Sequence, residues 1–184
     1  MEPTKLTIRL KPQLQDYIRY IMLVEGDADP EKILTANSRS YLGKLITPFL
    51  SYRPVDHHPL FAGNDCNLFT FILPIYNDVI ETRCNTVWIS EKNQVNIQKI
   101  VEHHFRLHFR FFADDKVRYQ RETHTQKGSI KRTIYQFCSD MNIKYDDVTY
   151  DMISKAYYRS RKKSIKCGIV PGETMMIGQL FFLR

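Results

Sequence analysis

Apolar and polar positions alternate at the start of the chain. Leu6, Ile8 and Leu10 interleave with Lys5, Thr7 and Arg9, a period of two that predicts a strand with one apolar and one polar face. Pro12 then suits the first turn of a helix, and Leu14, Tyr17, Ile18, Ile21 and Met22 recur at helical spacing until Gly26. Asp27-Ala28-Asp29-Pro30 reads as a loop. A second helix is expected to start near Asn37 or Ser38, with Tyr41, Leu42, Leu45, Ile46 and Phe49 as its buried stripe and Pro48 bending or ending it. Residues 53–67 hold Pro54, Pro59, Gly63 and Asn64 and read as a linker.

The pattern then returns. Phe69, Phe71 and Leu73 alternate before Pro74, and Asn77 to Cys84 fits a short helix. Ser90 is placed to cap the next helix, with Asn93 three residues on. Ile97, Ile100, Val101, His104, Leu107, His108 and Phe111 line one face of that helix, and Asp114-Asp115 marks its expected end. Residues 113–128 read as a loop or hinge. From Ser129 a helix runs to about Met141 with Ile130, Ile134, Phe137 and Cys138 on one side, and Asn142 to Asp147 makes a turn. Val148 to Lys163 reads as a further helix with Val148, Met152, Ile153, Ala156 and Tyr157 inside. In the tail, Gln179 to Leu183 fits a closing strand.

These elements give an α+β, mostly helical chain in three parts: a strand-helix-helix region over 1–112, a hinge or loop over 113–128, and a helical module with an apolar tail over 129–184. The first region contains an echo of itself. Leu6-Thr7-Ile8 resembles Phe69-Thr70-Phe71, and Leu42 laid on Ile97 sets Thr35 on Ser90, Leu45 on Ile100 and Ile46 on Val101. The two stretches need different offsets. An internal duplication with one change of length is the expectation that follows.

Charge sharpens this picture. The net charge is +7. Residues 1–98 carry 10 Lys or Arg and 11 Asp or Glu, a net of −1, and residues 99–184 carry 17 and 9, a net of +8. The excess therefore lies in the second half, as expected for an acidic partner such as nucleic acid. Residues 126–167 alone hold 10 basic and 4 acidic side chains. Two helices there, joined by a short turn and ending in Arg159, Arg161, Lys162, Lys163 and Lys166, fit a helix-turn-helix-like module, although the turn lacks the customary glycine. Lys155 and Tyr158 would add backbone or stacking contacts.

Lys5-Leu6-Thr7-Ile8-Arg9-Leu10 and Ser38-Arg39-Ser40 make residues 5–50 resemble the ribbon-helix-helix family of DNA-binding proteins. The resemblance implies two units whose strands pair into a ribbon that enters the major groove. It implies that Lys5, Thr7 and Arg9 face bases, and that the N–H groups near Ser38 and Arg39 meet a phosphate. The chain departs from the family in a longer loop between the helices. In the second unit Thr70 and Ile72 hold the base-facing positions with no cation.

Other chemistry is less well supported. Cys66, Cys84, Cys138 and Cys167 form no CxxC pair and fit thiols of a reducing compartment. The first residues lack a signal layout, and no apolar run is long enough to span a bilayer, so a cytoplasmic protein is expected. His104 and His108 lie one helical turn apart but lack the HExxH glutamate, and His57-His58 falls in the linker. Tyr157-Tyr158 lacks an activating partner for nucleophilic catalysis, and no GxxxxGK[ST], GxGxxG or GxSxG run occurs. No metal or cofactor is expected, and no enzyme activity. The leading expectation is a DNA-binding protein, a transcriptional regulator or an accessory factor of a plasmid, phage or transposon, with room for a homo-oligomer. A protein-interaction or assembly module built on Leu180-Phe181-Phe182-Leu183 is the alternative, and a metal-dependent nuclease the third.

Overall fold

The computed structural model describes residues 4–26, 33–54, 67–73, 85–122 and 129–166. The fold is α+β and mostly helical, with two small antiparallel sheets among these residues. The chain divides into two compact units, Met1–Glu102 and His103–Arg184. The expected loop at 27–30, helix at 77–84 and closing strand at 179–183 lie outside the described residues.

In the first unit, β1 (Thr4–Arg9) pairs antiparallel with β3 (Leu68–Leu73). The register sets Thr7 opposite Thr70, Leu6 opposite Phe71 and Ile8 opposite Phe69. The apolar echo of the two strands thus becomes a local two-fold centred on the threonines, whose hydroxyls are 2.9 Å apart. Leu6, Ile8, Phe69 and Phe71 are buried, so the alternation fixes which face is core. A second pair, β2 (Ser51–Pro54) with β4 (Asn85–Trp88), corrects the linker expected from residue 53. Four residues with one clear alternation are too short to announce a strand.

Helix α1 (Pro12–Val24) opens on proline and is followed by Gly26 at φ +76°, where a glycine meets no steric cost. Leu14, Tyr17, Ile18 and Met22 are buried as the spacing predicts. Helix α2 (Tyr41–Ile46) starts later than expected. Its cap is Ser40, whose Oγ accepts from Gly43 N–H at 3.1 Å, while Asn37 to Ser40 form the turn before it. That turn lies directly on the helix: a Cβ on Gly43 would stand 1.6 Å from the Asn37 carbonyl oxygen. Pro48 does end α2, in a 3-10 turn over Thr47–Phe49.

The strand echo does not extend to the helices. Ser90 Oγ accepts from Asn93 N–H at 3.3 Å at the start of α3 (Glu91–Glu122), so the two capping serines are Ser40 and Ser90. Matching these caps shifts the overlay by five residues and sets Leu45 on Val95, which is exposed. Thr35 sits instead in an isolated parallel bridge to Ile72.

Helix α3 runs through the boundary between the units and past Asp114-Asp115, so residues 113–122 are helix, not hinge. Its buried stripe is Ile97, Val101, Phe105, Phe109 and Ala113 at four-residue steps. The expected face through His104, His108 and Phe111 is about one residue out of phase. The segment His103 to Phe112 is apolar or aromatic at most positions, so periodicity alone does not fix its phase.

In the second unit, α4 (Ile130–Asp140) is capped by Ser129, whose Oγ accepts from Arg132 N–H. It buries Ile134, Phe137 and Cys138 as expected. Phe137 is the hub: the rings of Phe105, Phe109 and Phe112 lie 5.1–5.6 Å from it, and His108 meets it edge-on at 5.8 Å. Helix α5 (Asp147–Lys166) is capped by Asp146, whose Oδ1 accepts from Thr149 N–H at 2.8 Å. This cap turns Thr149, Ile153 and Ser154 inward and leaves Val148 exposed, one position out of phase with the expected core. Between α4 and α5, Asn142 takes φ +51°. Asn142 N–H reaches Ser139 O and Ile143 N–H reaches Cys138 O, so asparagine fills the left-handed position for which no glycine is present.

Three outcomes are expected in solution. Gly43→Ala should lower unfolding free energy by about 3 kcal/mol through overpacking against Asn37, measured by urea denaturation. Phe137→Ala should cost about 3–5 kcal/mol in the same experiment. Burial holds the His108 imidazole below its ordinary value of 6.5. The unfolded chain then binds the proton first, so stability should fall as pH drops below about 6.5. Denaturation midpoints across pH 5 to 8 should show a shallower fall in His108→Gln.

Candidate nucleic-acid interface

The outward face of β1 presents Lys5 and Arg9 to solvent, with half-buried Thr7 between them. Arg9 N–H donates to Gln94 Oε1 at 2.9 Å, which fixes the end of the strand. The partner strand adds no charge: Ile72 stands opposite Lys5 and Leu68 opposite Arg9. Part of its far edge is covered, because Ile72 N–H donates to Leu34 O and Ala36 N–H donates to Ile72 O, at 2.8 and 2.7 Å. Any cationic reading face on this ribbon therefore comes from β1 alone.

Ser38 and Arg39 are exposed, but in the turn that precedes α2. Arg39 N–H donates to Asn37 Oδ1 at 3.2 Å. The first N–H of the helix, that of Tyr41, donates to the Glu25 carboxylate at 2.8 Å, and the N–H of Gly43 is held by Ser40. The phosphate position implied near Ser38 is thus beside a carboxylate, and these helix-start donors are engaged.

The second unit carries the denser positive charge. Lys155, Tyr158, Arg159, Arg161 and Lys162 are all exposed on α5, and Lys163 lies on the same helix. The helix is electrically polarised. Asp146, Asp147 and Asp151 occupy its start, and the cations follow from Lys155 onward. Lys155 Nζ meets Asp151 Oδ2 at 2.6 Å one turn back, a largely exposed pair. The thiol of Cys138 is pushed up to about 11, first by burial and then by Asp146, which suits an inert core cysteine.

The fold sets part of α3 beside this helix. An open groove of about 540 Å³ is lined by His103, Arg106 and Arg110 from α3 and by Asp151, Lys155 and Arg159 from α5. Arg110 Nε lies 3.7 Å from Asp114 Oδ2. Burial pushes the Asp114 carboxyl up, and Arg110 and Arg161 oppose that shift. Arg106 and Arg110 do not stand out in the sequence. Their signal is a four-residue spacing of arginines, each one residue after a buried phenylalanine, and it is masked by the apolar and histidine-rich character of the segment.

Of the histidines, His104 and His108 are both held low, first by burial, and His103 adds to the effect at His104. Tyr157 is half-buried, with its ring 5.8 Å from Phe109, while Tyr158 faces solvent. Among the described residues no three His, Cys, Asp or Glu side chains converge as a metal site, and no helix is long and apolar enough to cross a membrane. His57 and His58 lie outside those residues. Compared with family models, curated proteins and solved structures, the chain matches none of them.

Proposed function

We propose that this chain binds DNA, with α5 anchoring phosphates and β1 facing bases through Lys5, Thr7 and Arg9. A transcriptional regulator, or an accessory factor of a plasmid, phage or transposon, is the role this fits. One observation carries the reading: Lys155, Arg159, Arg161 and Lys162 all stand exposed on one half of one helix. Cations gathered there displace counterions from a polyanion more effectively than the same charges dispersed over a surface. The pairing of β1 with β3 supports the ribbon-helix-helix resemblance, since it supplies within one chain the antiparallel ribbon that the family builds from two units. The uncharged partner strand limits base contacts to one side of that ribbon.

An assembly role is the second reading, favoured by Leu23 and Val24 at the end of α1, which are 51% and 67% exposed. A tight oligomer whose mobility ignores added DNA would support it.

Fluorescence anisotropy of a labelled mixed-sequence duplex at several salt concentrations tests the DNA reading. Binding should fall steeply with salt. The double variant Arg159→Ala with Lys162→Ala should bind more weakly and lower the slope of log K against log salt by about 2, close to 0.9 per phosphate neutralised. Unchanged affinity and slope in that variant would remove α5 from the interface. Lys5→Ala with Arg9→Ala should reduce discrimination between a selected site and unrelated duplexes by about 1–3 kcal/mol for each base that is no longer read.

A further inference from the structure

We infer that the groove between α3 and α5 is a clamp for a phosphodiester backbone and reads no bases. The inference rests on the DNA-binding reading and deepens it by naming the ligand chemistry of one site. Arg106 and Arg110 come from one helix and Lys155 and Arg159 from another, so the cations converge by tertiary packing and not by a single run of sequence. Asp151 is the one carboxylate among the lining residues, and it is paired with Lys155. Asp114 takes part of the charge of Arg110 from outside the lining. The lining thus holds four Lys or Arg side chains and one carboxylate, an excess of positive charge. Guanidinium groups suit phosphate oxygens, because their planar donors engage two oxygens together.

The start of α5 argues against base reading by this unit. A helix-turn-helix module sends the N-terminal residues of its second helix to the base edges. Here that end carries Asp146 and the exposed Asp147. Its early amides are engaged as well: Thr149 N–H by Asp146 Oδ1, and Tyr150 N–H by Asp146 O. Thr149 N–H also holds the Asp146 carboxyl below the usual carboxylate range, so this cap stays charged at neutral pH. A phosphate-bearing groove of DNA is repelled from this end and attracted to the α3/α5 groove. The connection over Met141 to Asp146 is also longer than the usual three- or four-residue turn.

The test uses the full chain and two duplexes of equal length and unrelated sequence. Arg106→Ala with Arg159→Ala should weaken binding to both duplexes by the same factor and reduce the salt slope on both by about 2. Arg106→Lys with Arg159→Lys should keep most of the slope, since slope counts charge, but bind more weakly, since an ammonium does not engage two oxygens as a planar fork does. Asp151→Asn should tighten binding to both duplexes, and Asp147→Asn, outside the groove, should do so less. Circular dichroism and urea midpoints confirm that each variant folds. If the native chain binds both duplexes with a steep slope and the alanine variant keeps that slope, the clamp is overturned and the DNA reading stands. Weaker binding to one duplex alone also overturns it, because the groove would then read sequence. If the native chain shows no salt-dependent binding to either duplex, the DNA reading falls and the clamp with it.

Discussion

The pairing of β1 with β3 is the constraint on which the first unit depends. It joins strands 63 residues apart at Thr7 and Thr70, so it closes a long loop before any local contact repays that entropy. What offsets the cost is burial on one face. Leu6, Ile8, Phe69 and Phe71 leave water together, each contributing roughly 1.5–3 kcal/mol. A slip of one residue would turn the apolar pair of one strand outward while that of the other stayed inward, so the register is set by the same atoms that stabilise the pair. The polar face is then a consequence of the apolar one: Lys5 and Arg9 are exposed because their neighbours are buried.

The second unit is organised around a single side chain. Phe137 enters the space beside α3 and meets Phe105, Phe109 and Phe112, with His108 at its edge. Edge-to-face and tilted contacts of this kind have preferred geometry, so they select a phase for α3 where hydrophobicity alone permits several. Once Phe105 and Phe109 face inward, Arg106 and Arg110 are carried to the groove they share with α5. The charge of the candidate interface is thus positioned by the aromatic core beneath it.

Electrostatics then sorts the ends of α5. Carboxylates near a helix N-terminus are favoured by the backbone dipole and cations toward the C-terminus likewise. Asp146 and Asp147 at the start and Lys162 and Lys163 near the end follow that rule, so the polarity has a local cause as well as a functional reading. The groove takes two of its cations, Lys155 and Arg159, from the same helix. The charge order that suits the dipole of α5 therefore also gathers positive charge on its second half.

Much of the fold was legible in the sequence. The alternation at Leu6 to Leu10 and at Phe69 to Leu73 marked the two strands, and Pro12, Gly26, Ser90 and Ser129 marked helix boundaries, because these are local choices of period and of backbone donors. The exposed cations of α5 were legible too, since a run of Lys and Arg has no place in a core. Other features waited on tertiary structure. The start of α2 moved to Ser40 because Asn37 to Ser40 fold back onto Gly43, an approach that no propensity encodes. The phases of α3 and α5 were set by Phe137 and by the Asp146 cap, where the local pattern allowed a one-residue shift. Arg106 and Arg110 became part of a candidate site only through long-range packing that brings two distant helices side by side. Period, caps and charge content are properties of neighbouring residues and are written in the chain, whereas register, helix phase and the convergence of cations depend on which distant surfaces exclude water together.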